Sequence, residues 1–330
     1  MATATNSSTN GEGTGVGWWR RLRISPKYIP MALLTLVACA FAIGNPNFIS
    51  PYNINTILVY AAPLLMVALG QMCAILVGGI DLSVGGMISF ISCLFVVMVP
   101  RIGAWAYLLC LIVGVVLGTI NGLVLTRVRI PSFIATLGTG GILASMSMLL
   151  APVPVNVPAS HQGLLVVVTG SYLGIDNSLY VGAAVFLLFY VILRFLPQGR
   201  QLFYVGSNIR MAWTSGVNEA RIRTLAFLLS GLGSALAALA LSASQFGSNP
   251  YLGTPFVLAS IATVVVGGTA LTGGAGGPFN TLFGALMMSM LQNGMNVVGV
   301  DQYFQQSILG LMIIICVGLT FDRSKTPVIK

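Results

Sequence analysis

Residues 104–125 read AWAYLLCLIVGVVLGTINGLVL, a run without Asp, Glu, Lys or Arg, preceded by Arg101 and followed by Arg127. An α-helix rises about 1.5 Å per residue, so a run of about 20 apolar residues crosses the roughly 30 Å hydrocarbon core of a bilayer. Working outward, comparable runs lie near 29–44, 54–77, 84–100, 132–151, 179–196, 222–243, 256–272, 279–298 and 304–321. Gly, Pro and polar clusters separate them. The pattern predicts an all-α, polytopic transmembrane helical bundle of about ten spans.

Composition points the same way. The 330 residues are 56% hydrophobic and only 6% charged, with mean hydropathy +0.94. Soluble chains carry about 25% charged residues, so a water-facing surface cannot be built from this sequence. The net charge of +9 does not indicate a nucleic-acid binder, because the basic residues stand between apolar runs rather than in a groove with interleaved aromatics. Cys39, Cys73, Cys93, Cys110 and Cys316 all fall inside apolar stretches with no CxxC pair, so neither a disulfide framework nor a metal site is expected. The lone His161, in the long segment 152–178, has no nucleophile or base beside it and reads as a loop residue.

Charge also orients the chain. With the amino terminus in the cytoplasm, every Lys and Arg except Arg101 falls at an inner segment or helix end. The rule that cytoplasmic loops collect Lys and Arg then predicts an even number of spans and two cytoplasmic termini. The expected organisation is a basic, disordered tail over 1–28, a membrane domain over 29–321 and a short tail over 322–330. Arg20, Arg21, Arg23 and Lys27 before the first apolar run resemble a signal peptide, but the long polar lead favours an uncleaved first helix.

Two glycine-rich stretches interrupt the apolar pattern. One contains Gly78, Gly79, Asp81, Ser83 and Gly85; the other contains Gly267, Gly268, Gly273 and Gly274. Glycine permits positive φ and close backbone approach, so each stretch is either a tight packing turn or a helix break on a translocation path. Their shared VGGxxL pattern suggests a vestige of internal duplication. Asp81 is read mainly as a helix N-cap, with an intramembrane functional carboxylate as the alternative. Gln71, Asn121, Gln292, Asn293 and Asn296 are candidate pathway or substrate contacts, and each can equally join helices by hydrogen bonds. Between spans, Asn208 is a fair N-cap and Gly216 or Asn218 a fair helix end, which predicts an amphipathic cytoplasmic helix at about 206–218. Such a helix either lies on lipid or docks into a partner's groove.

Four segments resemble the permease subunits of bacterial ABC importers of the ribose/xylose/arabinose/galactose type. They are GGIDLSVGG at 78–86, INGLVLTRVRIPSFIATLGT at 120–139, GRQLFYVGSN…SGVN at 199–218, and the stretch 261–300 beginning IATVVVGGTALTGG. The resemblance implies that the short helix couples to an ATPase subunit through Gly206, Asn208, Ala212, Ser215, Gly216 and Asn218. It further implies a homodimer in the bacterial inner membrane, a periplasmic solute-binding protein, and ATP and Mg held on the ATPase rather than on this chain. Met211-Ala212, Trp213-Thr214, Val257 and Ala259 depart from the family's usual residues. The chain contains no Gly-Lys-Ser/Thr phosphate loop, so ATP hydrolysis is assigned to a separate chain and this one is not an enzyme. The expected role is import of a monosaccharide or polyol. A branched-chain amino-acid ABC permease is the rival reading, followed by an ion-coupled carrier and a membrane scaffold.

Overall fold

Helix α2, Pro51–Leu76, shows how the apolar runs assemble. Ser50 starts it, its Oγ accepting from Asn53 N at 3.3 Å, and Pro51 takes the first position, where no amide is needed. From Ala61 to Leu76 every residue is buried. A helix that is apolar on all sides belongs in the centre, and α2 occupies it. Helix α10, Glu219–Ser244, is the second central element and runs antiparallel to α2, with Gly70 against Ser230 and Gly233 against Met66. The structure, a computed structural model, describes residues 29–301 and also Phe304, Gln305, Ser307, Ile308, Gly310, Leu311 and Ile314. The tails of 1–28 and 322–330, Cys316 and most of the segment near 304–321 lie outside the described residues.

Around this pair stand α1 (Ile29–Gly44), α3 (Val84–Ile102), α4 (Trp105–Val128), α5 (Ser132–Leu150), α7 (Asn177–Phe195), α11 (Phe256–Val266) and α12 (Pro278–Val298). Helices α3 and α4 pack on α10, while α11 and α12 pack on α2. The two VGG stretches meet at one end of the bundle.

Among the described residues, six helices (α2, α3, α4, α5, α7 and α10) are long and apolar enough to cross a bilayer. The span expected over 256–272 is a half-length helix, because the chain turns at Gly267 and Gly268 (φ +94°). A Cβ on Gly267 would lie 2.1 Å from Asn280 O, so only glycine lets α12 come this close. The segment 245–255, between α10 and α11, plunges inward. Gly253 N donates to Ser89 Oγ at 2.9 Å, and Gly253 sits against Gly85. The all-α expectation also needs a small amendment. Strand β1 (Val155–Asn156) pairs antiparallel with β4 (Gly247–Ser248), and β2 (Ser171–Tyr172) with β3 (Ile175–Asp176). These short pairs, a 3-10 turn at Ala159–Leu165 and the short helix α6 (Val166–Thr169) cap the end opposite the basic one. His161 lies in that cap, 2.9 Å from Ser160 Oγ through its Nδ1.

Candidate functional site

At the basic end the chain between α7 and α10 folds as α8 (Pro197–Ser207) and α9 (Ile209–Thr214). One helix over about 206–218 was expected; the observed helix is shorter, and Gly206 belongs to the end of α8. Asn208 separates the two. Its extended backbone breaks the helix and its Oδ1 caps α9 by accepting from Met211 N at 3.1 Å. Gly216 closes α9 in the left-handed region (φ +74°), allowing Val217 N to reach Ala212 O at 3.0 Å. Asn218 then caps α10 by accepting from Arg221 N at 3.1 Å. Ala212 anchors α9 inward, Ser215 is exposed, and Ile209, Met211 and Trp213 are exposed apolar side chains. Met211 and Trp213 retain 67% and 68% of their surface.

Three glycine segments meet beneath this helical pair. Gly274 N donates to Leu76 O at 2.9 Å, joining the end of α2 to the loop between α11 and α12. Gly78 (φ +73°), Gly273 (φ +89°) and Gly274 (φ +76°) turn where a side chain would be strained. Gly206 fits against both partners: a Cβ there would lie 1.8 Å from Leu76 O and 2.5 Å from Gly274 N. Ser207 Oγ lies 3.4 Å from Gly274 O. Sequence alone kept the two glycine stretches and the α8 segment apart; the structure ties them into one knot.

From the knot, residues 77–83 run back into the bundle as a strap. Irregular backbone at such depth must find partners inside the protein. Ile80 N donates to Ser132 Oγ at 3.0 Å and Leu82 N to Thr136 Oγ1 at 2.9 Å, both on α5. The Gln71 amide, oriented with nitrogen toward Asp81 O (3.0 Å) and oxygen toward Asp81 N (3.2 Å), brackets the Asp81 peptide. Asn121 Nδ2 donates to Ser83 Oγ at 2.8 Å from α4. Gln71 and Asn121, two of the pathway candidates, are therefore buried and engaged in holding the strap.

Asp81 does not cap the free amides of α3 as expected. Its Oδ1 accepts from Ser83 N at 2.9 Å and from Ser83 Oγ, an Asx turn that shapes the strap before α3 begins. Its Oδ2 is buried without a hydrogen bond, as is Ser230 Oγ on α10. Gly79 packs on Phe227, and Gly85 on Gly253 and Val257. The strap thus links the knot physically to α4, α5 and α10.

Between the strap, α9 and the start of α10 opens a cavity of about 940 Å³. Gly78, Arg129, Ser132, Trp213, Glu219 and Arg223 are among its lining residues. The Arg223–Glu219 pair at 2.9 Å braces its α10 wall. A second cavity of about 470 Å³ lies at the opposite end, lined by Tyr60, Ser178, Ser244, Gln245 and Gln292 among apolar residues. No charged side chain lines it. Of the five pathway candidates, only Gln292 reaches this cavity. Asn293 is buried with Oδ1 unpartnered, and Asn296, exposed, accepts from Gln305 Nε2 at 2.7 Å. Ser178 at the start of α7, and Ser244 and Gln245 at the end of α10, escaped sequence reasoning because no local motif marks them.

A sequence profile of the family described as "Branched-chain amino acid transport system / permease component" matches residues 53–317. The ribose import permease protein RbsC of Bacillus subtilis (strain 168) is 34% identical over 308 residues, covering 92% of this chain and 94% of its own length. RbsC of Escherichia coli (strain K12) is 31% identical over 292 residues, covering 87% and 91%. The D-allose transport system permease protein AlsC of the same strain is 28% identical over 298 residues, covering 89% and 91%.

Proposed function

The chain belongs to the branched-chain amino acid transport system / permease component family, and from that premise we propose that it is the membrane subunit of an ATP-driven importer of a monosaccharide or related polyol. The observation that carries the coupling role is α9, which holds exposed Ile209, Met211 and Trp213 directly beside the glycine knot. A short capped helix with an apolar outer face suits a groove on a cytoplasmic ATPase, which binds the ATP and Mg that this chain does not. Movement of α9 and α8 is passed through Gly206, Leu76 and Gly274 to the strap, and from the strap to α5.

Ten crossings with both termini cytoplasmic fit this role. All arginines of the described residues except Arg101 stand at the end that carries α8 and α9. A homodimer is supported by α5. The glycines inside α2, α4, α10 and α12 each meet a neighbouring element, whereas Gly138 and Gly141 on α5 face open space. Small residues on a membrane helix favour close approach of another helix, and a second permease copy supplies one.

The sugar reading rests on the outer cavity, whose hydroxyl and amide groups match uncharged hydroxyls delivered by a periplasmic binding protein. The same cavity reaches Pro255 and Phe256 at the start of α11, a helix end that would suit the carboxylate of an amino acid. Uptake into proteoliposomes carrying the permease, the ATPase and the binding protein separates the two. Labelled ribose or allose is expected to enter only with ATPase and ATP, and excess leucine is expected not to compete. Uptake that persists without the ATPase, or leucine transport in place of sugar, overturns the reading. For the docking helix, Met211→Glu with Trp213→Glu is expected to lower ATPase co-purification by roughly tenfold or more, while membrane insertion is unchanged.

A further inference from the structure

A recess of about 400 Å³ lies at the basic end, outside the knot, between the last turns of α7, helix α8 and the first turn of α12. Arg194 and Arg200 line it from two different helices, and Tyr190, Tyr204 and Phe279 form its walls. Among the described residues the one recorded ion pair is Arg223–Glu219, so neither of these arginines is neutralised by a carboxylate in the structure. The other described acids are elsewhere. Asp81 is held in the strap, and Asp176 and Asp301 lie towards the opposite end. Two arginines lining one recess, with the positive end of α12 beside them, suit an anion.

The surroundings specify what kind of anion. Phe186, Tyr190, Phe195 and Phe279 form a continuous aromatic cluster along the outer wall, with Tyr190–Phe279 centroids 5.6 Å apart and Phe186–Phe279 centroids 5.2 Å apart. Phe195 and Phe279 keep 63% and 52% of their surface exposed. Aromatic side chains collect at the level of the headgroups, and basic recesses between membrane helices there bind anionic headgroups. A soluble anion would need the arginines and have no use for the apolar, outward-facing wall.

We propose that this recess holds the phosphate of an anionic phospholipid from the leaflet at the basic end, with Arg194 and Arg200 binding the headgroup and the Tyr190–Phe279 wall receiving the upper acyl chain. The lipid bridges α7, α8 and α12, so it braces the helix that carries Gly206 into the knot.

Native mass spectrometry of the purified full chain, supplied with phosphatidylglycerol or phosphatidylcholine, tests this. The wild type is expected to retain phosphatidylglycerol over phosphatidylcholine by roughly tenfold or more. Arg194→Gln with Arg200→Gln is expected to abolish that preference, and Arg101→Gln, at the other end, to keep it. Equal retention of the two lipids by the wild type, or a preference that survives in the double variant, overturns the proposal. Displacement of phosphatidylglycerol by excess inorganic phosphate, without dependence on acyl chains, would assign the recess to a soluble anion and overturn it as well. If the double variant does not give a monodisperse protein, Arg200→Gln alone carries the comparison, since Arg200 is exposed on α8.

Discussion

Gly206→Val is expected to lower ATP-driven uptake by roughly tenfold or more while the chain still inserts into the membrane. The obstacle is backbone on both sides. A Cβ at this position would stand 1.8 Å from Leu76 O and 2.5 Å from Gly274 N, the two atoms that bond to each other at 2.9 Å. Neither can rotate away as a side-chain tip could. Either α8 lifts off the end of α2, or the Gly274–Leu76 bond breaks. Overpacking of this kind costs about 1–3 kcal/mol or more locally, and each 1.4 kcal/mol shifts a two-state coupling equilibrium about tenfold. The helix crossings that hold the bundle are remote from Gly206 and stay intact, so expression and insertion separate from transport. Gly216→Ala provides a graded comparison. Its φ of +74° costs about 1–2 kcal/mol for alanine, but nothing lies within 4 Å of the new Cβ. A smaller loss of uptake is expected there. Uptake in Gly206→Val equal to wild type would remove the knot from the coupling route.

Gly231→Val is expected to have the opposite signature: loss of folded protein rather than loss of coupling alone. Helices α4 and α10 cross at Gly114, Gly118 and Gly122 on one side and Gly231 on the other. A Cβ on Gly231 would lie 2.2 Å from Gly114 O and 2.9 Å from Gly118 Cα. With no hydrophobic force between helices in lipid, this close approach is itself the source of packing energy, and a valine forces the pair apart. A destabilisation of about 3 kcal/mol or more is expected, visible as a large fall in thermal midpoint by fluorescence-detected size exclusion and in purified yield. Gly163→Ala, in the 3-10 turn with nothing within 4 Å of the new Cβ, is expected to stay within about 0.5 kcal/mol of wild type. A Gly231→Val protein with wild-type stability would mean that the α4–α10 crossing is not as close as described.

Sequence reading succeeded where one local property decided the outcome. The runs at 104–125 and 132–151 became α4 and α5 within a few residues, because helix boundaries there follow the end of the apolar run and Pro131. Asn208 capped α9 and Gly216 closed it as their chemistry indicates, whereas Asn218, the other expected helix end, caps α10 instead. It fell short where apolar composition continued through a break. Val266-Gly267-Gly268-Thr269-Ala270-Leu271 stays hydrophobic past the end of α11, so hydropathy carried the expected span to 272. Asp81 was weighed as a cap because a carboxylate before an apolar run has that local use; its actual partner, Ser83, is two residues away in a turn.

Taken alone, the sequence determined that this is a helical membrane protein, which end is basic, and that a short helix lies near Asn208 and Gly216, since charge scarcity, charge position and capping residues act over a few neighbours. The tertiary structure alone decided that the two glycine stretches and Gly206 form one knot, that Gln71 and Asn121 hold a strap, and that Arg194 and Arg200 share a recess. Those facts depend on contacts between segments up to about two hundred positions apart, and a glycine in the sequence does not announce which backbone it will touch.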